Sequence, residues 1–154
     1  ELTTVSAMNV ITGTPLYMSP EAIVAPDGMD GRSDLYALGA VAWFLLVGRP
    51  VFEGDSIVSV CSQHLHTEPP RPSALGVELP PALESVLLAC LAKKPAARPA
   101  DARALRAQLE ATNLAAGWTR ERAAEWWRTS GKSEPVPSAA SGPHTIALDI
   151  GSRT

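Results

Sequence analysis

The stretch Ser33–Val47 (SDLYALGAVAWFLLV) constrains this chain more than any other. Its pattern predicts a helix, and Leu35, Leu38, Val41, Ala42, Trp43, Phe44, Leu45 and Leu46 spread over nearly all of its faces. A helix with one apolar stripe lies on a surface, whereas one apolar all round has to be surrounded. The remaining segments are therefore expected to pack about this helix, which at 1.5 Å per residue is about 20 Å long. Ser33 is the expected N-cap. Asp34 is a carboxylate placed where the helix dipole favours it. Gly39 costs about 1 kcal/mol relative to Ala inside a helix, which predicts a neighbour packed closely against it. The longest apolar run, Ala37–Val47, is too short to span a bilayer.

The flanking segments read as further helices and loops. Glu1–Thr12 has no helical period. Asp55 is expected to cap a partly exposed helix reaching His66, with Ile57, Val58, Val60, Cys61 and Leu65 as its apolar positions. His64 and His66 are two residues apart and do not face one another on a helix, so no metal is expected there. Glu68–Pro81 holds five prolines and is expected to be an extended connecting loop; a polyproline docking motif is the lesser alternative. Pro80 or Pro81 opens the next helix, with Leu83, Val86, Leu87 and Leu91 on its apolar face. Lys93 and Lys94 suit its C-terminal dipole, and Pro95 stops it. Asp101 starts a strong helix-forming run to Glu110, with Leu105 and Leu109 inward. Thr119 is the expected cap of a short helix whose tryptophans, Trp118, Trp126 and Trp127, pack back on the helical body, with Arg122 or Arg128 stacked on Trp127. A protein-docking role for these tryptophans is the alternative. Residues 131–154 are rich in Ser, Pro, Gly and Ala and are expected to be a disordered tail, with one short apolar piece at Ile146–Ile150.

Composition narrows the function. The 154 residues, 45% of them hydrophobic, suffice for one domain with a core. A net charge of −3 leaves no nucleic-acid footprint. Cys61 and Cys90 are expected to be buried free thiols in a reducing compartment, and the expected location is cytoplasmic. Neither a signal peptide nor a membrane segment is legible.

Four motifs follow in order. Gly13-Thr14-Pro15-Leu16-Tyr17-Met18-Ser19-Pro20-Glu21 comes first, then Ser33-Asp34-Leu35-Tyr36-Ala37-Leu38-Gly39. Gly48-Arg49-Pro50-Val51-Phe52 and Lys94-Pro95-Ala96-Ala97-Arg98-Pro99 complete the set. Together they resemble the second half of a bacterial-type serine/threonine protein kinase domain, from the activation segment onward. The family's A-P-E is here Ser19-Pro20-Glu21. Val51 stands for a proline and Lys94 for an aspartate of the family pattern. The Gly-rich loop, the V-A-I-K lysine, H-R-D-L-x-x-x-N and D-F-G are not in this sequence, so the chain reads as a domain cut just after its metal-binding motif. The resemblance implies a mainly α fold: the helical C-lobe portion of the kinase fold without its N-terminal β-sheet lobe. The expected organisation is a partial kinase domain over 1–110, a Trp-rich helix over 111–130 and the tail over 131–154. A similar W…WW segment follows the kinase domain of some bacterial members.

The resemblance also implies roles. Gly13, Thr14, Pro15, Leu16, Tyr17 and Met18 would position substrate, with Pro15–Met18 as the floor under the residue that follows the phosphorylated one. A threonine at position 14, where tyrosine kinases usually carry proline, implies a Ser/Thr-type parent. Thr3, Thr4, Ser6 and Thr12 are phosphosite candidates. Glu21 and Arg98 would form a buried structural ion pair. Asp34 would accept hydrogen bonds from the backbone of the H-R-D turn, and Val41 and Leu45 would carry the spine beneath the adenine. Phosphoryl transfer needs a lysine on the phosphates, a carboxylate at the acceptor hydroxyl and Asp/Asn ligands for Mg²⁺. The chain places none of them. No catalytic residue, metal or cofactor is therefore expected in the fragment, and ATP and Mg²⁺ belong to the full-length parent. Expected partners are a protein substrate with a Ser or Thr acceptor and the missing N-terminal kinase half. The reading is a serine/threonine kinase fragment, inactive alone. The alternative is a non-catalytic kinase remnant that binds proteins through Gly13–Met18 and the Asp55–His66 helix.

Overall fold

The computed structural model describes residues 15–114 and 117–130. Within them the α-helices are α1 (Pro20–Val24), α2 (Gly31–Val47), α3 (Ile57–His66), α4 (Pro81–Cys90), α5 (Ala102–Ala111) and α6 (Arg120–Ser130). Short 3-10 turns lie at Pro15–Tyr17, Pro26–Gly28, Pro72–Leu75 and Pro95–Ala97. There is no strand among the described residues, in keeping with the expected mainly α fold.

The core is built on α2. Tyr36, Ala40 and Trp43 pack with Val51 and Phe52 from the following turn and with Leu87 and Leu91 at the α4 end. A second cluster joins Leu35 of α2, Cys90 of α4 and Leu105 of α5. The contact expected at Gly39 is there: a Cβ built on it would lie 2.7 Å from Cys90 Cβ. Gly48 ends α2 in the left-handed conformation at φ 82°, and its N–H donates to Phe44 O. Cys61 and Cys90 are buried and free. No helix among the described residues is long and apolar enough to cross a membrane.

Two expectations for α2 are corrected. Its N-cap is Asp30, whose carboxylate accepts from Arg32 N at 2.9 Å, so the helix starts before Ser33 and the Ser33 hydroxyl serves elsewhere. Nor is α2 surrounded. Leu38, Val41, Phe44 and Leu45 are exposed, Leu45 by 76%. Leu38, Val41 and Leu45 are separated by three and four residues, which aligns them along one side of the helix. The helices α4 and α5 and the Pro15–Tyr17 turn pack against α2.

Smaller differences have local causes. Ser56, not Asp55, caps α3, its Oγ accepting from Ser59 N at 3.1 Å. Lys93 caps α3 rather than its own helix: Nζ donates to Gln63 O at 3.2 Å and His64 O at 2.9 Å, and sits 4.4 Å from the Phe52 ring centroid. The proline-rich connection is not wholly extended. Buried Glu84 accepts from Ser73 N (2.8 Å) and Arg71 Nη1 (3.0 Å), drawing a turn at Pro72–Leu75 onto α4. On α5, Asp101 caps as expected and Leu105 is buried, but Leu109 is exposed.

The tryptophans do not pack as expected. Thr119 Oγ1 accepts from Arg122 N at 3.2 Å at the start of α6, yet Trp118, Trp126 and Trp127 are all exposed. Trp126 and Trp127 meet edge to face at 4.9 Å. Arg128 pairs with Glu125, and Arg122 donates to Gly117 O, so neither stacks on Trp127. Adjacent helical residues point about 100° apart, so one seam cannot take both rings.

Candidate functional site

Pro15–Tyr17 forms a 3-10 turn closed by Met18 N donating to Pro15 O at 3.3 Å. Pro15, Leu16, Tyr17 and Met18 are half-buried between α2 and α3, and Tyr17 packs on the main core. Ser19 then caps α1, its Oγ accepting from Ala22 N at 3.3 Å, with Pro20 in the first turn. The serine that departs from the A-P-E pattern thus has a physical use here, since alanine cannot cap. Gly13, Thr14, Thr3, Thr4, Ser6 and Thr12 lie outside the described residues, as does the tail with Ile146–Ile150.

Glu21 and Arg98 meet across 77 residues of sequence. The pair is bidentate, Arg98 Nη1 to Glu21 Oε1 at 2.6 Å and Nη2 to Oε2 at 2.8 Å. Arg98 is 0% exposed at its side chain and Glu21 15%. The guanidinium also donates to the carbonyls of Ala92 (2.8 Å), Arg32 (2.9 Å) and Lys93 (3.1 Å), and lies over the Tyr36 ring at 4.9 Å. The displaced Ser33 hydroxyl donates to Glu21 Oε1 at 2.6 Å. Burial alone would raise the Glu21 pKa; the bonds from Arg98 and Ser33 outweigh it and hold the carboxyl at about 2. One carboxylate therefore joins α1, and the turn before it, to the start of α2 and the segment after α4.

Asp34, Val41 and Leu45 stand apart from this pair. Asp34 is exposed and makes no side-chain hydrogen bond among the described residues, and Val41 and Leu45 lie on the uncovered side of α2. No group of three His, Cys, Asp or Glu that could hold a metal occurs among the described residues.

One residue of the region escaped the sequence reading. His64 is 0% exposed, enclosed by Tyr36, Phe52 and α3 itself. Its Nδ1 is 2.8 Å from the Tyr36 hydroxyl, and the Phe52 ring meets it edge to face at 5.0 Å. Burial first, then the Lys93 charge, pushes its pKa down to about 4, against the opposing effect of the Leu16 backbone, so the ring is neutral near pH 7. Burial pushes the Tyr36 phenol well above its usual range. The phenol keeps its proton, and Nδ1 is the acceptor within reach, so Tyr36 donates to Nδ1. The ring proton is then on Nε2, which is buried without a direct hydrogen bond. The signal was present in the sequence: His64 lies four residues after Val60 on the buried face of α3, a spacing weighed only for metal binding.

Residues 1–109 match the protein kinase domain family. The chain is 43% identical over 105 residues to serine/threonine-protein kinase pkn3 of Myxococcus xanthus, covering 67% of this chain and 19% of that protein. It is 44% identical over 99 residues to serine/threonine-protein kinase PknB of Mycobacterium tuberculosis, covering 64% and 16%. It is 47% identical over 96 residues to the DNA damage-responsive serine/threonine-protein kinase RqkA of Deinococcus radiodurans, covering 62% and 14%. The chain thus spans less than a fifth of the length of these three relatives. With the helical fold of the described residues in place, the conclusion is that this chain belongs to the protein kinase domain family and is of the bacterial serine/threonine type.

Proposed function

We propose that this chain is the substrate-facing helical part of a serine/threonine protein kinase, whose whole transfers the ATP γ-phosphate to a Ser or Thr of a protein substrate. The observation that carries the reading is the bidentate Glu21–Arg98 pair. It fastens the segment holding Pro15–Met18 to the helices, as a surface that must resist an incoming peptide requires. In this reading Thr14 and Pro15–Met18 position substrate, Glu21 and Arg98 hold that floor, and the four hydroxyls at Thr3, Thr4, Ser6 and Thr12 are regulatory phosphosites. The kinase-like part ends near residue 110, and α6 (Arg120–Ser130) is an appended helix.

ATP and Mg²⁺ supply the transferable phosphoryl group and its charge neutralisation. No group of three His, Cys, Asp or Glu that could hold a metal occurs among the described residues, and no chemical step is assigned to this sequence. The motifs that do hold them would meet the chain at Asp34 and along Leu38, Val41 and Leu45. We therefore expect these 154 residues alone to transfer no phosphate. Buried free thiols fit a cytoplasmic setting. The non-catalytic binding module has no separate observation in its favour.

The test is a radiolabelled-ATP assay with a generic basic protein substrate, on the chain alone and on a polypeptide joining it to the catalytic motifs. Transfer by the joined form, lost on Thr14→Ala, supports the reading. Transfer by the chain alone that Thr14→Ala abolishes would overturn the division of labour, and inactivity of a folded joined form would overturn the kinase reading.

A further inference from the structure

Among the described residues, neither α6 nor the channel between α2 and α5 is covered. No residue of α6 is buried, and Trp126 and Trp127 stand 45% and 67% exposed. The channel is an apolar groove of about 310 Å³, formed by Leu35 and Leu38 of α2 and by Ala102, Leu105 and Leu109 of α5. Leu38 and Leu109 are open to solvent. Arg106 and Glu110 also line it and pair with one another. At its Ala102 end the groove runs into a hollow of about 560 Å³, which shares Leu35 and Ala102 with it and carries Asp30, Asp34 and Asp101. Arg32 answers Asp30, and one Asp101 oxygen caps α5. Asp34 makes no side-chain hydrogen bond among the described residues. The surface is an apolar track with an acidic end.

α6 presents the complement in the same order and at the same spacing. Arg120 opens the helix and is exposed, and Trp127 follows seven residues later. Seven residues are two turns, about 10.5 Å, so the two side chains project nearly on one line. On α5, Ala102, where the acidic hollow begins, and Leu109 are also seven residues apart. Laid parallel to α5, α6 sets Arg120 over the carboxylates while Trp127 enters the groove at Leu109. Trp126, edge to face with Trp127 at 4.9 Å, then lies over the rim. The reversed helix would bring Arg120 to the apolar end and leave the tryptophan among carboxylates. We propose that α6 docks into the α2–α5 groove of a second copy of this chain, two copies exchanging their α6 helices about a twofold axis. Both complementary surfaces sit on one chain, as an isologous pair requires, and the exchange fills two grooves at once. Counting both docked helices, the contact buries on the order of 1,000 Å², the lower end for a specific interface, so the dimer is weak, with a micromolar Kd. This docking is independent of the chemistry that the whole protein performs. Under the kinase reading Asp34 and Leu38 belong to the catalytic segments, so those segments and a docked α6 exclude one another.

Sedimentation equilibrium of the 154-residue chain across micromolar concentrations is the test. A monomer–dimer equilibrium is expected, with tryptophan emission shifting to the blue as the dimer forms. Trp127→Ser changes an exposed residue, should leave the helix content of the monomer unaltered, and should weaken the dimer about a hundredfold. Asp34→Lys should weaken it about tenfold, and adding Arg120→Glu should recover most of that loss, which a general effect on stability would not do. Leu45→Lys, outside the groove, should leave the dimer unchanged. A chain that stays monomeric with solvent-exposed Trp126 and Trp127 overturns the proposal, as does a dimer indifferent to Trp127→Ser. A monomer in which both are shielded at every concentration means that α6 closes its own groove across the eight residues between Ala111 and Arg120, and overturns the exchange. Loss of the dimer with Leu45→Lys places the contact on the open side of α2 and overturns the groove as its seat.

Discussion

Arg98 spends its whole guanidinium on Glu21 and three backbone carbonyls. Arg98→Met would strand a buried carboxylate and leave those carbonyls short of a donor. A loss of about 3–5 kcal/mol is expected in urea unfolding. Glu21→Gln combined with Arg98→Met should cost less than the sum of the two single changes, because the second removes a charge the first has already stranded. The same neighbourhood makes stability depend on acid in two steps. His64 titrates near 6.5 unfolded and about 4 folded. The unfolded chain takes up the proton first, so stability is lost as pH falls from 6.5 through 4. Glu21 titrates near 4.5 unfolded and about 2 folded, and its contribution is lost as pH falls from 4.5 through 2. By linkage, at about 1.4 kcal/mol per pH unit, the His64 step is worth roughly 3 kcal/mol and the Glu21 step less, because solvent screens that carboxylate in part. Unfolding free energies measured across pH 7 to 4.5 should therefore decline in the native chain and stay nearly flat in His64→Phe. A decline of equal size in both would show that another group titrates.

At the scale of the helix, Gly39 sets how near α4 can come to α2. Alanine is the better helix former by about 1 kcal/mol, but its Cβ would sit 2.7 Å from Cys90 Cβ, and overpacking of this kind typically costs about 1–3 kcal/mol. Gly39→Ala should therefore lower the thermal midpoint, and trimming the opposing side chain with Cys90→Gly should recover part of the loss. A raised midpoint for Gly39→Ala would mean that α4 can shift away freely. This close approach was legible from the sequence, because a glycine inside an apolar helix has few other uses. Glu21 and Arg98 were legible only through motif order, since no local pattern links residues 77 apart. Caps were legible to within a residue or two. Asp30 and Ser56 displaced Ser33 and Asp55 because several capping side chains compete at each helix start, and the one whose backbone is extended there wins. The Trp126–Trp127 pair was misread because composition suggested burial while the spacing gives no common face. His64 was missed because its spacing was tested against a metal and not against the core.

For the whole molecule, the uncovered side of α2 is the feature that the kinase reading has to account for. Leu38, Val41, Phe44 and Leu45 are exposed on a helix whose other side is the core. Scattered exposed apolar residues need no explanation, but a contiguous apolar face marks an interaction surface. Under the kinase reading the catalytic segments cover it. Leu45 gives the cleanest test because it is 76% exposed and takes no part in the core clusters. Leu45→Lys in the chain alone replaces one solvated side chain by another and should change unfolding free energy by no more than about 0.5 kcal/mol. In a polypeptide carrying the catalytic motifs the same lysine would be forced into an apolar contact without a partner, and the loss should exceed about 2 kcal/mol. The comparison uses one substitution in two backgrounds, so any intrinsic effect on helix propensity cancels. Equal small losses in both would mean that the face stays open in the complete protein and that the catalytic half docks elsewhere. Equal large losses would mean that the chain already covers this face by associating with itself, which sedimentation of the unmutated chain would reveal as a dimer.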